Sequence, residues 1–289
     1  MYSHLASPRA TIERLRELGL YTKKSLGQHF LIDDNIVGRI IRLSQVSADD
    51  TVIEVGPGIG TLTLALLGQG CFVVAVEYDD SLIEPLKEIT DASRITVVQA
   101  DAARLALSRE EIDVRSERVY LTDIPTKLVA NLPYQVAATV VLRFFEHLPL
   151  LQSATVMVQR EVADRMRAKI GVKDYSGYTV KLGLLATVVD SFHVAPSSFL
   201  PPPRVDSTVV HLQRQQSVQD IEEYQRVAQV IDTAFHMRRK TLRNNLRVQF
   251  TADEADRALA STGISGSVRA ETLGKEEFIA LTHALHASE

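Results

Sequence analysis

The sequence contains a single cysteine among its 289 residues. A disulfide within the chain is therefore excluded, and we expect Cys71, which stands in an apolar segment, to be a small buried residue in a reducing compartment. No apolar run reaches the ~20 residues that cross a bilayer as a helix, so no membrane span is expected. The N-terminus lacks an apolar signal segment, and Glu13 and Glu17 disfavour a transit peptide, so the expected location is cytoplasmic.

An overall excess of positive charge is also missing, since the formal net charge is −4 at pH 7. That balance does not suit a protein that binds RNA over its whole surface. The positive charge is local, because residues 151–250 carry fourteen Lys and Arg against nine Asp and Glu. Two basic clusters predict salt-sensitive RNA binding, with a solvated helix face as the alternative for each. Their members are Arg160, Arg165, Arg167, Lys169 and Lys173, and then Arg238, Arg239, Lys240, Arg243 and Arg247.

Metal ligands and covalent nucleophiles are not evident either. The eight histidines are scattered along the chain, and none stands at the spacing of a metal site. No pairing of a nucleophile with a base is suggested by the pattern. The sequence therefore predicts chemistry that uses neither a metal ion nor a covalent intermediate.

A glycine loop between a strand and a helix is the first positive signal. Thr51–Val55 is predicted to be a buried strand, the loop 56–60 (GPGIG) follows at once, and Thr61–Leu67 is predicted to be a helix. This order is typical of the nucleotide-binding corner of a doubly wound α/β sheet, where glycines let the backbone approach a ligand closely. A second strand, 71–76, ends in Glu77, 21 residues after Gly56, where a carboxylate can accept both ribose hydroxyls. The alternative is a structural turn beside a solvated acid.

The spacing of the loop favours an adenosine without a pyrophosphate. The dinucleotide fingerprint places its third glycine three positions after the second, but here Gly60 arrives one residue early. A third strand, 94–99, leads to Asp101, whose carboxylate can accept the amine of an adenine. Together these features predict S-adenosylmethionine as the cofactor. An oxidoreductase that uses NAD is the alternative from another class.

The tetrapeptide 131–134 (NLPY) follows an apolar strand, 127–130. The side-chain oxygen of Asn131 and the carbonyl of Leu132 can each accept one N–H of an exocyclic amine. Pro133 fixes the backbone direction, and Tyr134 offers a ring face on which a base can stack. These residues predict a site for a flat heterocycle that carries an amine. A simple Asn-x-Pro turn is the alternative.

An ordered set of segments resembles the ribosomal RNA adenine dimethyltransferase family, and specifically its small-subunit rRNA branch. The matching segments are 24–31 (KSLGQHFL), 54–60 (EVGPGIG), 76–79 (VEYD), 99–101 (QAD), 131–134 (NLPY), 199–207 (FLPPPRVDS), 238–246 (RRKTLRNNL) and 269–271 (RAE). They extend from about residue 20 to the C-terminus. Methyltransferases that act on large-subunit rRNA resemble the first half equally well, but they match 201–207 and 240–244 less well.

The resemblance implies a Rossmann-like, S-adenosylmethionine-dependent methyltransferase fold with a small C-terminal all-helical domain. The implied reaction is dimethylation of N6 on two adjacent adenosines in a 3′-terminal hairpin loop of small-subunit rRNA, within a ribosomal assembly intermediate and by a monomer. Two alternatives stay open: an N6-methyltransferase of large-subunit rRNA, and a ribosome-assembly factor in which methylation is secondary. The implied cofactor residues are His29, Leu31, Gly56, Gly58, Glu77, Asp101 and Asn131.

The resemblance also implies that Tyr134 and Phe199 clamp a flipped adenine, since enzymes that act on bases extrude them. Packing in the core is the alternative for Phe199. The family usually has Asn where this chain has His29, and a neutral histidine bonded to nearby backbone is the alternative for that residue. Segment 173–180 also departs from the family pattern.

Three regions are expected from the pattern along the chain. They are an N-terminal arm (1–25), an S-adenosylmethionine-binding catalytic domain (26–213) and a helical RNA-binding domain (218–289), since the pattern is purely helical after about residue 216. The mixed-charge stretch 108–118 is predicted to be an elaborated loop, and we attach no chemistry to it.

Overall fold

The computed structural model describes residues 1–20, 29–107, 111–114, 117–120, 125–215, 217–218 and 220–287. The chain forms two compact units, Met1–Ala163 with Val188–Arg214, and Asp164–Thr187 with Gln215–Glu289. These limits differ from the predicted ones because residues 164–187 belong to the second unit. The predicted early motif 24–31 lies mostly outside the described residues, which resume at His29.

A seven-stranded sheet forms the centre of the first unit. Its strands are, in sheet order, β10 (Ala186–Val194), β12 (Ser207–Arg214), β9 (Ser153–Gln159), β8 (Lys127–Asn131), β2 (Thr51–Val55), β3 (Phe72–Glu77) and β4 (Ile95–Gln99). The strands β9, β8, β2, β3 and β4 pair in parallel, whereas β12 pairs with β9 in antiparallel fashion. Every residue of β2 is buried, as expected for a parallel strand covered on both faces. The prediction of a mainly parallel sheet with an antiparallel final strand is confirmed.

The helices of this unit coincide with apolar spacing in the sequence, and the first two begin at side-chain caps. They are α1 (Pro8–Glu17), α2 (Asp34–Ser44), α3 (Thr61–Leu67), α4 (Ile83–Glu88) and α5 (Ala137–His147). Asp33 caps α2 by accepting the N–H of Asn35, which places the buried residues Val37, Ile40 and Ile41 on one face. A short 3₁₀ turn precedes α4, which is brief, as the Pro inside the predicted helix suggested.

The described part of the predicted arm packs onto the first unit. The backbone N–H groups of Tyr2 and Ser3 donate to the carboxylate of Asp34 at the start of α2, at 2.9 and 2.8 Å. Leu5 and Leu15 are buried, 4% and 7% exposed. Residues 1–20 are therefore part of a folded core, because their apolar side chains and free backbone donors find partners there.

Two small sheets complete the unit. Strand β1 (Phe30–Leu31) pairs with β11 (Phe199–Leu200), and three antiparallel strands, β5 (Ala106–Leu107), β6 (Glu111–Val114) and β7 (Glu117–Tyr120), form the other. The described residues of the stretch 108–118 are therefore strands, which corrects the prediction of a loop. Their mixed charge shows no strand periodicity, and the strands are defined by backbone pairing between β5, β6 and β7.

The second unit is helical. The unit boundary falls inside α6 (Arg160–Met166), and the remaining helices are α7 (Gly177–Leu185), α8 (Ile221–Ala234), α9 (Leu242–Leu246), α10 (Ala252–Thr262) and α11 (Lys275–His286). Gly177 lies against Ile231 and Phe235, and the hydroxyl of Tyr175 donates to the carbonyl of Leu273 at 2.7 Å. These contacts place residues 164–187 with the C-terminal helices. None of the described helices combines the length and hydrophobicity that a membrane-spanning segment requires.

Candidate active site

A cavity of about 510 Å³ opens at the carboxyl ends of the parallel strands. This edge of a doubly wound sheet is where such folds bind ligands. The cavity brings together most of the predicted cofactor and catalytic residues, from distant parts of the chain: His29, Leu31, Gly56, Gly58, Glu77, Asp101, Asn131, Leu132, Pro133 and Tyr134. These residues therefore line one cavity, and the role of each stays a prediction.

The glycine corner, residues 56–60, disfavours a side chain at two positions. Gly56 and Gly58 have φ of 70° and 59°, in the left-handed region that favours glycine. A Cβ at Gly56 would lie 3.3 Å from Pro133, and one at Gly58 would lie 3.2 Å from the Phe30 ring. The bare backbone therefore forms one wall of the cavity, which suits a ligand that must approach it closely.

Glu77 is fixed at the next strand end. One carboxylate oxygen accepts the N–H of Gly58 at 3.1 Å, and the other accepts those of Tyr78 and Asp79 at 2.8 Å each. Burial raises the pKa of this carboxyl, although these three backbone donors oppose the shift. These three donors occupy about three of the four acceptor sites of the carboxylate, and the free site is on the oxygen bonded to Gly58. One ribose hydroxyl can donate to that site, and a second must share an oxygen with a backbone N–H.

Glu54 was quoted in the sequence motif without a role, and the structure places it in the cavity wall. Its carboxyl is 1% exposed and accepts the hydroxyl of Thr63 at 2.7 Å. Burial raises its pKa to about 8, with a smaller contribution from the nearby Glu77. The side chain is therefore mostly uncharged at neutral pH. An acid inside an apolar strand, directly before a glycine loop, was the signal that could have identified it.

The third strand end carries Asp101. Its carboxylate accepts the N–H of Ala103 at 3.0 Å and lies 3.6 Å from the guanidinium of Arg104. Tyr78 also lines the cavity and is 63% exposed, so its ring is available to a ligand. No role for Tyr78 was predicted from the sequence, because an aromatic residue beside an acid has no distinctive spacing.

Asn131 is oriented by a main-chain contact. Its Nδ2 donates to the carbonyl of His29 at 3.2 Å, which directs Oδ1 away from that carbonyl. Within the described part of the chain, neither Oδ1 of Asn131 nor the carbonyl of Leu132 has a hydrogen-bond partner, while the Leu132 N–H donates to Met157 at 3.1 Å. Two free acceptors therefore stand on adjacent residues at the cavity, as an amine site requires.

Tyr134 is held at both ends of its side chain. Its hydroxyl lies 2.7 Å from Oγ of Ser207, and its ring stacks on the imidazole of His29, with centroids 5.6 Å apart and planes at 28°. Nδ1 of His29 lies 2.7 Å from the carbonyl of Pro201. The alternative considered for His29, a histidine bonded to nearby backbone, therefore describes its side chain.

Phe199 does not line the cavity. It is 2% exposed and belongs to the hydrophobic core that includes Leu31, Val37 and Ile40. Its strand β11 pairs with β1, which places Phe199 opposite Leu31. The structure therefore assigns Phe199 to the core, the alternative considered above, rather than to one face of a base clamp.

The basic residues divide between the two units, and several are paired. In the first unit Arg160 lies 3.4 Å from Asp206. In the second, Arg167 pairs with Asp164, Arg238 with Glu271, and both Arg243 and Arg247 with Asp256. Lys169, Arg239 and Lys240 are exposed and have no ion pair among the described residues. Part of the predicted positive charge is therefore neutralised within the protein.

Across the described residues, no group of three or more His, Cys, Asp and Glu side chains is arranged to hold a metal ion.

Comparison with known proteins gives relatives over nearly the whole chain. "Ribosomal RNA small subunit methyltransferase A" of Thermobifida fusca is 42% identical over 277 residues, which cover 93% of this chain and 92% of the relative. The protein of that name from Listeria monocytogenes serotype 4b is 37% identical over 292 residues, covering 99% and 98%. The crystal structure of a dimethyladenosine transferase from Plasmodium falciparum matches with a TM-score of 0.70 and 25% identity, over 88% of this chain and 96% of that one.

These similarities confirm the predicted Rossmann-like methyltransferase fold and S-adenosylmethionine as the methyl donor. The glycine corner and the carboxylate of Glu77 fit that cofactor, since they offer a close backbone approach and acceptors for a ribose. The model of one family, ribosomal RNA adenine dimethylase, matches residues 19–286. The chain therefore belongs to the ribosomal RNA adenine dimethylase family.

Proposed function

We propose that this enzyme dimethylates N6 of two adjacent adenosines in a 3′-terminal hairpin loop of small-subunit rRNA, in an assembly intermediate of that subunit. The relatives named above are small-subunit rRNA methyltransferases at 42% and 37% identity, which supports the choice of subunit. The observation that carries the chemistry is the pair of free acceptors on Asn131 and Leu132 beside the ring of Tyr134.

The first step is to orient the amine. N6 of adenine is a poor nucleophile, because its lone pair is delocalised into the ring. When Oδ1 of Asn131 and the Leu132 carbonyl each accept one N–H, the nitrogen is favoured in a pyramidal form with its lone pair directed at the methyl group. Positioning of this kind can supply several kcal/mol of the barrier without a dedicated base. The proton leaves once the nitrogen has been alkylated, when it is strongly acidic, and water can take it.

The second contribution is to hold the extruded base. An adenine must leave its stack to reach a cavity of this kind, and a ring platform compensates for part of that cost. We assign this role to Tyr134, whose ring is fixed by Ser207 and His29. We assign Pro133 to holding the loop in place, because its ring lies 3.3 Å from the point where a Cβ on Gly56 would stand.

We assign the other residues that line the cavity to binding of the cofactor. When bound, S-adenosylmethionine supplies an electrophilic methyl group on a sulfonium. Glu77 would accept the ribose hydroxyls, and Asp101 would accept the adenine amine of the cofactor. The other residues assigned to this role are Leu31, Gly56, Gly58, Asn131 and the main chain of His29, all of which border the cavity.

RNA contacts are assigned to the basic residues of both clusters, with the greatest contribution from the unpaired cations Lys169, Arg239 and Lys240. A cation already paired with a carboxylate must lose that partner before it can neutralise a phosphate. The paired residues Arg160, Arg167, Arg238, Arg243 and Arg247 therefore contribute less to each contact, and Arg165 is half-buried. A cytoplasmic location and a monomeric state are part of the same proposal.

Transfer of labelled methyl groups tests the proposal. Unmethylated small subunits are compared with large subunits and with free DNA, and the expected result is two methyl groups on each of two adenosines of the small subunit alone. Label on large subunits only would show that the enzyme belongs to the large-subunit branch. Small-subunit binding without any transfer would instead favour an assembly factor.

A further inference from the structure

The imidazole of His29 makes two contacts, one with the main chain of Pro201 and one with the ring of Tyr134. Nδ1 lies 2.7 Å from the carbonyl of Pro201, and because a carbonyl can only accept, Nδ1 carries the hydrogen. The ring stacks on Tyr134, whose hydroxyl is bonded to Ser207. The phenol ring is thus held on one face by His29 and at its far end by Ser207.

We propose that His29 is a positioning residue that fixes the Tyr134 ring for the target adenine, an inference that rests on the proposed function. His29 directly precedes strand β1, and Pro201 directly follows its partner strand β11. The pairing of the two strands therefore brings the imidazole to the carbonyl of Pro201. A ring already held in place loses less conformational freedom when a base stacks on its open face.

The main chain of the same residue acts on the amine site. The carbonyl of His29 accepts Nδ2 of Asn131 at 3.2 Å, so one residue sets both the acceptor and the stacking platform. A change of the side chain leaves that carbonyl in place. Side-chain variants therefore separate the two effects.

The competing role is a direct contact of the imidazole with the cofactor. The two roles differ in their dependence on Tyr134. If His29 acts through Tyr134, replacing His29 causes no further loss of rate once the phenol ring has been removed. If its imidazole contacts the cofactor, the loss is the same with and without that ring. A double-mutant cycle measures that difference.

The experiment uses the full-length enzyme with unmethylated small subunits. Single-turnover methyl transfer is measured at saturating S-adenosylmethionine and saturating subunits for His29→Leu, His29→Phe, Tyr134→Ala and the double variant His29→Leu/Tyr134→Ala. We expect His29→Leu to be about two- to tenfold slower, the range of an aromatic pair, and His29→Phe to recover most of the rate because it restores a flat ring. The double variant should be as slow as Tyr134→Ala alone.

Calorimetry of free cofactor binding completes the test, with affinities for all variants expected within about twofold of the parent. His29→Leu at the parental rate, or a loss that adds to that of Tyr134→Ala, would overturn the proposal. Weaker cofactor binding in His29→Leu that matches its loss of rate would do the same. Failure of the proposed function is distinguishable, because the unmodified enzyme would then transfer no methyl groups to small subunits. If His29→Leu does not fold, His29→Phe in the presence and absence of Tyr134 decides between the same two roles.

Discussion

Nδ2 of Asn131 donates to the carbonyl of His29 at 3.2 Å, across 102 positions of the chain. The contact decides which end of the amide faces the cavity, because the nitrogen is occupied and the oxygen is free to accept. Asn131 ends β8 and His29 precedes β1, so the two strands together orient the amine acceptor. The expected behaviour of several variants follows from this arrangement.

Asn131→Ala should reduce methyl transfer by ~10²–10³, by analogy with other preorganised polar groups in closed sites. The side chain orients the amine and does not hold the RNA, so small-subunit binding should persist. Single-turnover rates at saturating cofactor measure the effect. Thr139→Ala, an exposed position of α5, is the matched control. Near-normal dimethylation by Asn131→Ala would mean that the amine is activated by another group.

Tyr134→Phe should slow the reaction only mildly, since the stacking ring is kept and only the hydrogen bond to Ser207 is lost. Tyr134→Ala should lose the ~1–3 kcal/mol that stacking on a base typically contributes. The comparison is made by single-turnover kinetics on small subunits. Equal rates for Tyr134→Phe and Tyr134→Ala would show that stacking on the Tyr134 ring does not contribute to the reaction.

Glu77→Ala should weaken S-adenosylmethionine binding by ~2–4 kcal/mol, because a buried charged acceptor of two hydroxyls is removed. Calorimetry with the free cofactor measures the loss. Glu84→Ala serves as control, since that carboxylate is on the surface at 75% exposure. Unchanged affinity in Glu77→Ala, or binding of NAD by the parent enzyme, would contradict the assignment of this wall.

Neutralising Arg238, Arg239 and Lys240 together should weaken subunit binding and leave free-cofactor affinity intact. Each lost phosphate contact should reduce the slope of log affinity against log salt by roughly 0.7–0.9. The unpaired set Lys169, Arg239 and Lys240 should reduce the slope more than the paired set Arg238, Arg243 and Arg247. An unchanged slope in all three variants would mean that this cluster is only a solvated face.

Glu54→Gln should change how stability depends on pH. The native carboxyl has a pKa of about 8 against an ordinary value of 4.5, so the native state keeps its proton at pH values where the unfolded chain has released it. The contribution of this group to stability is therefore full below the unfolded pKa and is lost as the pH rises through about 8. Wild type should lose up to ~1.4 kcal/mol per pH unit across that window relative to Glu54→Gln. Denaturant unfolding at several pH values checks this, and parallel curves for the two proteins would refute it.

Local sequence was sufficient for the elements around the cofactor. Strand β2 and helix α3 begin and end where predicted, because apolar periodicity and glycine punctuation act over a few neighbouring residues. The strand ends that carry Glu77, Asp101 and Asn131 were predicted for the same reason. In a parallel sheet these ends share one edge, so the sequence also predicted that the three side chains meet at one cavity.

Contacts between distant segments were decided only by the tertiary structure. The stack of His29 on Tyr134, the burial of Phe199 opposite Leu31 and the pairing of Arg243 with Asp256 each join residues that no local pattern relates. The same holds for β6 and β7, and for α7, which packs with the C-terminal helices. Periodicity and motif spacing are local properties of the chain, and they were enough to predict the fold class and the residues at the strand ends that border the cavity. Which aromatic rings and which cations remain available to RNA depends on burial and ion pairing, which exist only once the chain has folded.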